Sequence, residues 1–599
     1  MPFGAEVTSE GVRFALWAPS AENVQLVLDE TELPMAADQD GWYRLVSNDA
    51  RAGMRYGFKI DGKLIVPDPA SRFQPDDVHG RSLVVDPQSY TWSQTNRSGR
   101  PWEETVLYEL HVGTATEEGT YAALMGKLET LRDLGITAIE LMPVAEFPGE
   151  RNWGYDGVLP YAPDAAYGTP DDLKRLVDRA HELGLMVFLD VVYNHFGPSG
   201  NYLHAYAKEF FTDRHPTPWG AGINVDGEGS RHVRDFFIHN ALYWLEEFQI
   251  DGLRFDAVHA IVDDSEPHFL DELATRIRAT FPGRRIHLIL ENEANQARWL
   301  ERQESGNPNL HTAQWADDIH NAWHALLTGE SEGYYHDYAN APLQHLGRAL
   351  AEGFAYQGDP SPHQNGKIRG EPSRHLHPSA FVSFLQNHDQ VGNRAFGERL
   401  SHLIPAEHLD LARAILLLSP QIPMLFMGEE WSASSPFQFF VDFETEPDLA
   451  KAVRDGRKSE FKHFKAFADP ELTQRIPDPT ARATFERSKI DWGEAEREPH
   501  RGTLAHTRGL LDIRHKEIVP LLKGGYSGSS YKVTSDGILD VTWRFSTGTL
   551  RLLANFGDES IDKSPNRQAR VLWSSEPVST DDTSIQLRPW SGILLKETL

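Results

Sequence analysis

Thr169-Pro170-Asp171-Asp172-Leu173-Lys174-Arg175-Leu176-Val177-Asp178-Arg179-Ala180-His181-Glu182-Leu183-Gly184-Leu185-Met186-Val187-Phe188-Leu189-Asp190-Val191-Val192-Tyr193-Asn194-His195 reads as a helix, a stop, a strand and a polar end in one run. Thr169 supplies an N-cap oxygen, Pro170 suits the first helical position, and Asp172 is an acid in the first turn. Leu173, Leu176, Val177, Ala180 and Leu183 fall on one helical face, and Gly184 ends it. Residues 185–192 then form an apolar strand that runs into Tyr193-Asn194-His195.

The same alternation extends outward. Upstream lie a short apolar strand at 105–110, a helix at 121–134 with apolar residues at 124, 128, 131 and 134, and a strand at 136–144. Downstream come a long insertion, a helix at 233–248, and strands at 250–255 and 286–290. Further strand candidates are 313–316, 381–385 and 424–427. Eight strand–helix units predict an α/β fold, a (β/α)₈ TIM barrel, as the catalytic domain over residues 96–519, with the insertion after strand three. Residues 1–95 alternate with period two and carry regular turn signals, so an N-terminal β-sandwich is expected there. The pattern returns to β at 539–545, 550–554 and 584–587, which predicts a C-terminal all-β domain over 520–599.

A chain of 599 residues exceeds one hydrophobic core, in keeping with three domains. Lys and Arg number 58 against 88 Asp and Glu, a formal charge of −30, which repels phosphate backbones and anionic lipid, so neither nucleic acid nor a membrane is expected as a partner. There is no cysteine, hence no disulfide framework, thiolate metal site or Cys nucleophile. The first residues carry neither a basic stretch nor an apolar run, so a cytoplasmic location is expected, as a monomer or homodimer.

Barrel enzymes place their chemistry at the C-terminal ends of strands. Strand three runs into Asn194-His195, strand four carries Arg254-Phe255-Asp256, strand five ends in Glu291, strand seven in Asn387-His388-Asp389, and strand two leads to Trp153-Gly154-Tyr155. Acetal cleavage needs an acid for the leaving oxygen and a carboxylate for the anomeric carbon, and Asp256 with Glu291 can supply that pair. Arg254 shares the facing of Asp256 and can keep it ionised. Asp389 adds a third carboxylate and Tyr155 a ring under the sugar. Asp190 reads equally as a structural acid, His195 as a structural hydrogen-bonder and Asn194 as a loop tie. No HExxH helix, Walker loop or dinucleotide glycine motif competes. No metal or other cofactor is expected.

These residues resemble the α-amylase superfamily of glycoside hydrolases. The sequences 190–195, 252–256, Glu291 and Asn387-His388-Asp389 match its four motifs in order. The resemblance implies Asp256 as nucleophile, Glu291 as general acid/base, and Asp389 as the carboxylate that orients the substrate. It also implies Tyr155, His195, Arg254 and His388 as contacts to the sugar. Glu293 shares the facing of Glu291 and stands as the alternative acid.

Longer segments, among them 153–158, 194–202, 217–220, 256–261, 386–394 and 428–431, resemble the trehalose-releasing members of that superfamily. They imply hydrolysis of the α-1,4 bond next to the terminal α,α-trehalose of a glucan oligosaccharide. They also imply an immunoglobulin-like N-terminal sandwich of the glucan-binding-module type. The alternative is a branching glucanotransferase; a non-catalytic glucan-binding protein ranks third. His259, Trp219, Phe396, Trp431, Phe437 and Phe439 are the candidates for further sugar contacts. The run 431–443 reads equally well as a packed loop.

Overall fold

The computed structural model describes residues 1–94, 97–217, 220–461, 470–563, 569–577 and 585–597. At its centre eight parallel strands close on themselves: β1 Leu107–Leu110, β2 Ala138–Leu141, β3 Met186–Val191, β4 Gly252–Phe255, β5 His287–Leu290, β6 Ala313–Trp315, β7 Phe381–Ser383 and β8 Ile422–Phe426. β1 pairs with both β2 and β8, which shuts the barrel. Side chains alternate between its inside and its helical coat. Leu107, Ala138, Met186, Phe188, Ile289, Ala313, Val382, Ile422 and Met424 fill the interior as an apolar cluster. Toward the C-terminal ends, the inward positions turn polar: Glu109, Glu140, Asp190 and Arg254.

The helix Pro170–Glu182 opens with a reciprocal capping box between Thr169 and Asp172. Two expectations change. The helix at 121–134 divides into Tyr121–Met125 and Leu128–Leu134 around Gly126, a residue that weakens a helix interior. The fifth strand is followed by the short 3₁₀ turn Ala297–Leu300 instead of an α-helix; Gly306, Pro308 and the asparagines at 292, 295, 307 and 309 oppose helix formation.

The N-terminal region is two antiparallel sheets. One holds Glu6–Thr8, Gly11–Trp17, Trp42–Ser47 and Ala36–Ala37; the other holds Thr31–Pro34, Val24–Leu28, Arg55–Ile60, Leu64–Val66 and Ser82–Leu83. Phe14 and Tyr56 meet across them with ring centroids 5.0 Å apart. Its outer aromatics turn toward the barrel coat: Phe3 packs edge-on against Phe236, and Trp17 contacts Phe210 and His232. Buried Arg72 seals that contact through Glu247 at 2.8 Å.

At the other end, Tyr526–Val533, Ile538–Phe545, Gly548–Asn555, Ser591–Glu597 and Arg570–Ser574 form one antiparallel sheet. It rests on helix Pro342–Glu352, where a Cβ on Gly347 would come within 2.8 Å of Tyr531. Among the described residues no helix is long and apolar enough to cross a membrane.

Candidate active site

The strand-end groups converge on Arg254. Its guanidinium lies 4.1 Å from the centre of the Trp315 ring of β6. Nη1 donates to Asp190 at 2.6 Å and to Asp256 at 2.8 Å, while Nη2 donates to Glu291 at 2.9 Å. One cation thus answers three carboxylates, from β3 and from the ends of β4 and β5. The Tyr155 hydroxyl donates to Asp190 at 2.6 Å, and Asn194 Nδ2 donates to Asp256 Oδ2 at 2.8 Å. Glu291 Oε2 also accepts the Ala257 backbone N–H at 2.7 Å, at a turn where Ala257 takes a left-handed φ of 40°. Both bonds to Glu291 fall on Oε2, which leaves Oε1 to hold a proton.

Neighbours on the strand ends complete the site. His388 pairs through Nδ1 with Glu109 of β1, whose other oxygen accepts the His388 N–H at 2.9 Å. The His388 ring stacks on Tyr155 with centroids 5.1 Å apart. His195 bonds the Tyr155 carbonyl at 2.9 Å and pairs with Asn194, which links the loops after β2 and β3. Asp389 accepts from Asn393 Nδ2 at 2.6 Å, one turn along the same short helix.

These environments push the carboxyls apart. Burial opposes charge on Asp256, yet Arg254, the Asn194 hydrogen bond and the two histidines outweigh it and hold its pKa below the usual range. Burial lifts Glu291 well above that range; Arg254 only partly offsets it, and the charge of Asp256 adds to it. Asp389 is raised by burial against the pull of His388 and Arg254. Burial takes Asp190 up to about 6, with Arg254 opposing. Burial also disfavours charge on His388, but Glu109 prevails and raises its pKa.

A cleft of about 690 Å³ opens above this network. It is lined by Asp256, Glu291, Asp389, Tyr155, His195, Arg254, His259, His388 and Phe439, so nine of the thirteen expected residues stand together. Glu293 lines it too, but its side chain is 48 % exposed against 24 % for Glu291. Glu293 takes a hydrogen bond from Gln364 at 2.9 Å and faces His259 at 3.9 Å.

Three expected contacts are corrected. Trp431 is buried against Trp492, and Phe437 is buried flat against Trp153 with centroids 5.3 Å apart. Phe396 packs on the cluster of Ala395, Phe461 and Ile476. None of the three rings lines the cleft: Trp431 and Phe437 are buried, and Phe396 is half-buried. Trp219 lies outside the described residues.

Sequence reasoning missed Asp317. It stands one residue beyond β6, after Ala316, lines the cleft, and is pushed by burial up to about 7. The rule applied to the other strands, a polar residue directly after an apolar run, would have found it. Glu109 was also missed; its signal is an acid at an inward position of an apolar strand.

Among the described residues, one group of possible metal ligands converges: His215, Asp226 and Asp264. Arg214 pairs with both acids, at 3.1 and 3.5 Å.

Comparison with known proteins agrees with this architecture. Residues 2–87 match carbohydrate-binding module 48 (isoamylase N-terminal domain), residues 85–241 the alpha amylase catalytic domain, and residues 527–594 a domain of unknown function, DUF3459. The malto-oligosyltrehalose trehalohydrolase of Rhizobium sp. (strain M-11) is 39 % identical over 98 % of both chains. That of Deinococcus radiodurans is 42 % identical over 92 % of this chain and 88 % of its own. A crystal structure from Salmonella typhimurium, described as a candidate alpha amylase, superposes with a TM-score of 0.93 at 47 % identity, covering 100 % of this chain and 99 % of that one. By contrast, a 1,4-alpha-glucan branching enzyme of Corynebacterium jeikeium is 36 % identical over only 43 % of this chain and 39 % of its own. The chain belongs to the malto-oligosyltrehalose trehalohydrolase family, glycosidases built on the α-amylase barrel.

Proposed function

We propose that this chain hydrolyses the α-1,4 bond next to the terminal α,α-trehalose of a maltooligosyltrehalose, with retention, releasing trehalose and a maltooligosaccharide. The observation that carries the reading is the network on Arg254: its Nη1 helps hold Asp256 ionised, while burial keeps Glu291, bonded to Nη2, protonated. Glu291 gives its proton to the glycosidic oxygen while Asp256 attacks the anomeric carbon. The C–O bond breaks, trehalose leaves with the proton, and a glycosyl ester remains on Asp256. Arg254 and the Ala257 N–H stabilise the new charge on Glu291 Oε2. Glu291 then takes a proton from water, whose oxygen displaces Asp256 from the anomeric carbon. Asp389 and His388 grip sugar hydroxyls, and Tyr155 lies beneath the ring. His195, Phe439 and His259 are further contacts to the oligosaccharide.

Purified protein incubated with maltotriosyltrehalose, and separately with amylose, tests this reading. Free trehalose with maltotriose, and no new α-1,6 linkage, is expected. New α-1,6 branch points without trehalose would establish the branching transferase instead.

A further inference from the structure

Beneath the reacting groups lies a buried acid that the mechanism does not use. Glu140 points into the barrel from β2, is 1 % exposed, and has no hydrogen-bond partner on either carboxyl oxygen. Strand register sets it directly beside Glu109 of β1 and level with Phe188 of β3, one inward position below Asp190. The Glu109 carboxylate is already committed to His388. A second negative charge beside it, with no donor to answer it, would be strongly disfavoured.

The orphaned atoms around Glu140 are not all acceptors. Asp190 Oδ1, Arg254 Nε and Trp315 Nε1 are likewise buried without a partner, all inside the same end of the barrel. Unpaired buried polar atoms of both kinds call for a molecule that both donates and accepts. A cation is opposed by the two N–H donors and by the Arg254 charge; water suits them.

We propose that Glu140 stands as a neutral carboxylic acid that holds ordered water beneath Arg254 and Asp190, and so is a positioning residue for the catalytic network. Burial, with Glu109 and Asp190 nearby, lifts its carboxyl well above the usual range against the pull of Arg254, in accord with that form. Through the water, Glu140 fixes the Asp190 carboxylate, and Asp190 in turn orients Arg254 and the Tyr155 hydroxyl.

The inference rests on the assignment of the Arg254 carboxylates to catalysis, but its first readout needs no turnover. A neutron structure is expected to show a deuteron on Glu140 and a water bonded to it and to Asp190 Oδ1. An ionised Glu140, a cation, or no bound water would overturn the proposal. Kinetically, Glu140→Leu is expected to lower kcat by about tenfold, roughly the worth of one lost polar contact, with KM nearly unchanged. Glu140→Gln is expected to restore kcat and to leave the alkaline limb of the pH profile in place. A folded Glu140→Leu protein with full kcat, or a Glu140→Gln protein whose alkaline limb moves, would overturn it. If Glu140→Leu does not fold, the neutron structure and the Glu140→Gln profile decide alone.

Discussion

The rim formed by the ends of β3, β4 and β5 and the loop at 428–443 both lie at the mouth of the barrel, and both drew functional expectations from sequence. They fared differently. Every acid and base singled out on the rim faces the cleft or its network. In the loop Trp431 and Phe437 are buried in the protein, and only Phe439 reaches the cleft. The difference is one of alternatives. A charged side chain at the inward end of a barrel strand has one place to go, and burying it requires partners. An aromatic ring in a loop is equally well served by a sugar or by another ring. Residue type decides the first case and leaves the second to packing.

The rim half of this comparison breaks most sharply at Asp256. Asp256→Asn is expected to lower kcat on the order of 10⁴-fold or more, as loss of a nucleophile does, with the circular dichroism spectrum unchanged. Near-normal turnover would remove the nucleophile from the rim. Glu291→Gln is expected to cost about 10²–10⁴-fold, the range of general acid catalysis, and Glu293→Gln less than about threefold. A larger loss for Glu293→Gln would move the acid two residues along.

The opposed shifts also fix a pH profile. Activity should fall on acidification, as Asp256 takes up a proton at its depressed pKa. It should fall at high pH, as Glu291 loses its proton at a raised one. Glu291→Gln should abolish the alkaline limb of kcat. A wild-type profile whose alkaline limb survives that substitution would assign the limb to another group.

The loop half is sharpened by two rings two residues apart that differ in burial, Phe437 fully buried and Phe439 half-buried. Phe437→Ala is expected to cost about 3–5 kcal/mol of stability, as emptying a core aromatic site does. Thermal or denaturant unfolding reads that loss. Phe439→Ala should cost less stability than Phe437→Ala and lower kcat/KM by roughly fivefold, about 1 kcal/mol of aromatic contact. The reverse pattern would mean that the loop offers Phe437 to the substrate.

Much of this was legible. Strand periodicity located all eight barrel strands, and the same parity that sets Arg254 and Asp256 on one side placed them with Glu291. What stayed hidden had physical reasons. Asp317 was within reach, since it stands just past the strand drawn at 313–316, and it was passed over because a strand this short draws less notice. The Glu109–His388 pair joins β1 to the end of β7 and depends on closure of the barrel, which no local pattern encodes. The missing fifth helix reflects breakers spread between residues 291 and 312. The N-terminal aromatics Phe3 and Trp17 again show rings spent on packing, here between domains.

The central claim is that Arg254 keeps Asp256 an anionic nucleophile beside a protonated Glu291. Its most direct test is to trap the intermediate. Glu291→Gln protein, treated with a fluorinated maltosyl fluoride whose leaving group needs no acid, should accumulate a glycosyl ester. Peptide mass spectrometry is expected to place that label on Asp256. A label on any other residue, or product of inverted anomeric configuration with no label, would contradict the account.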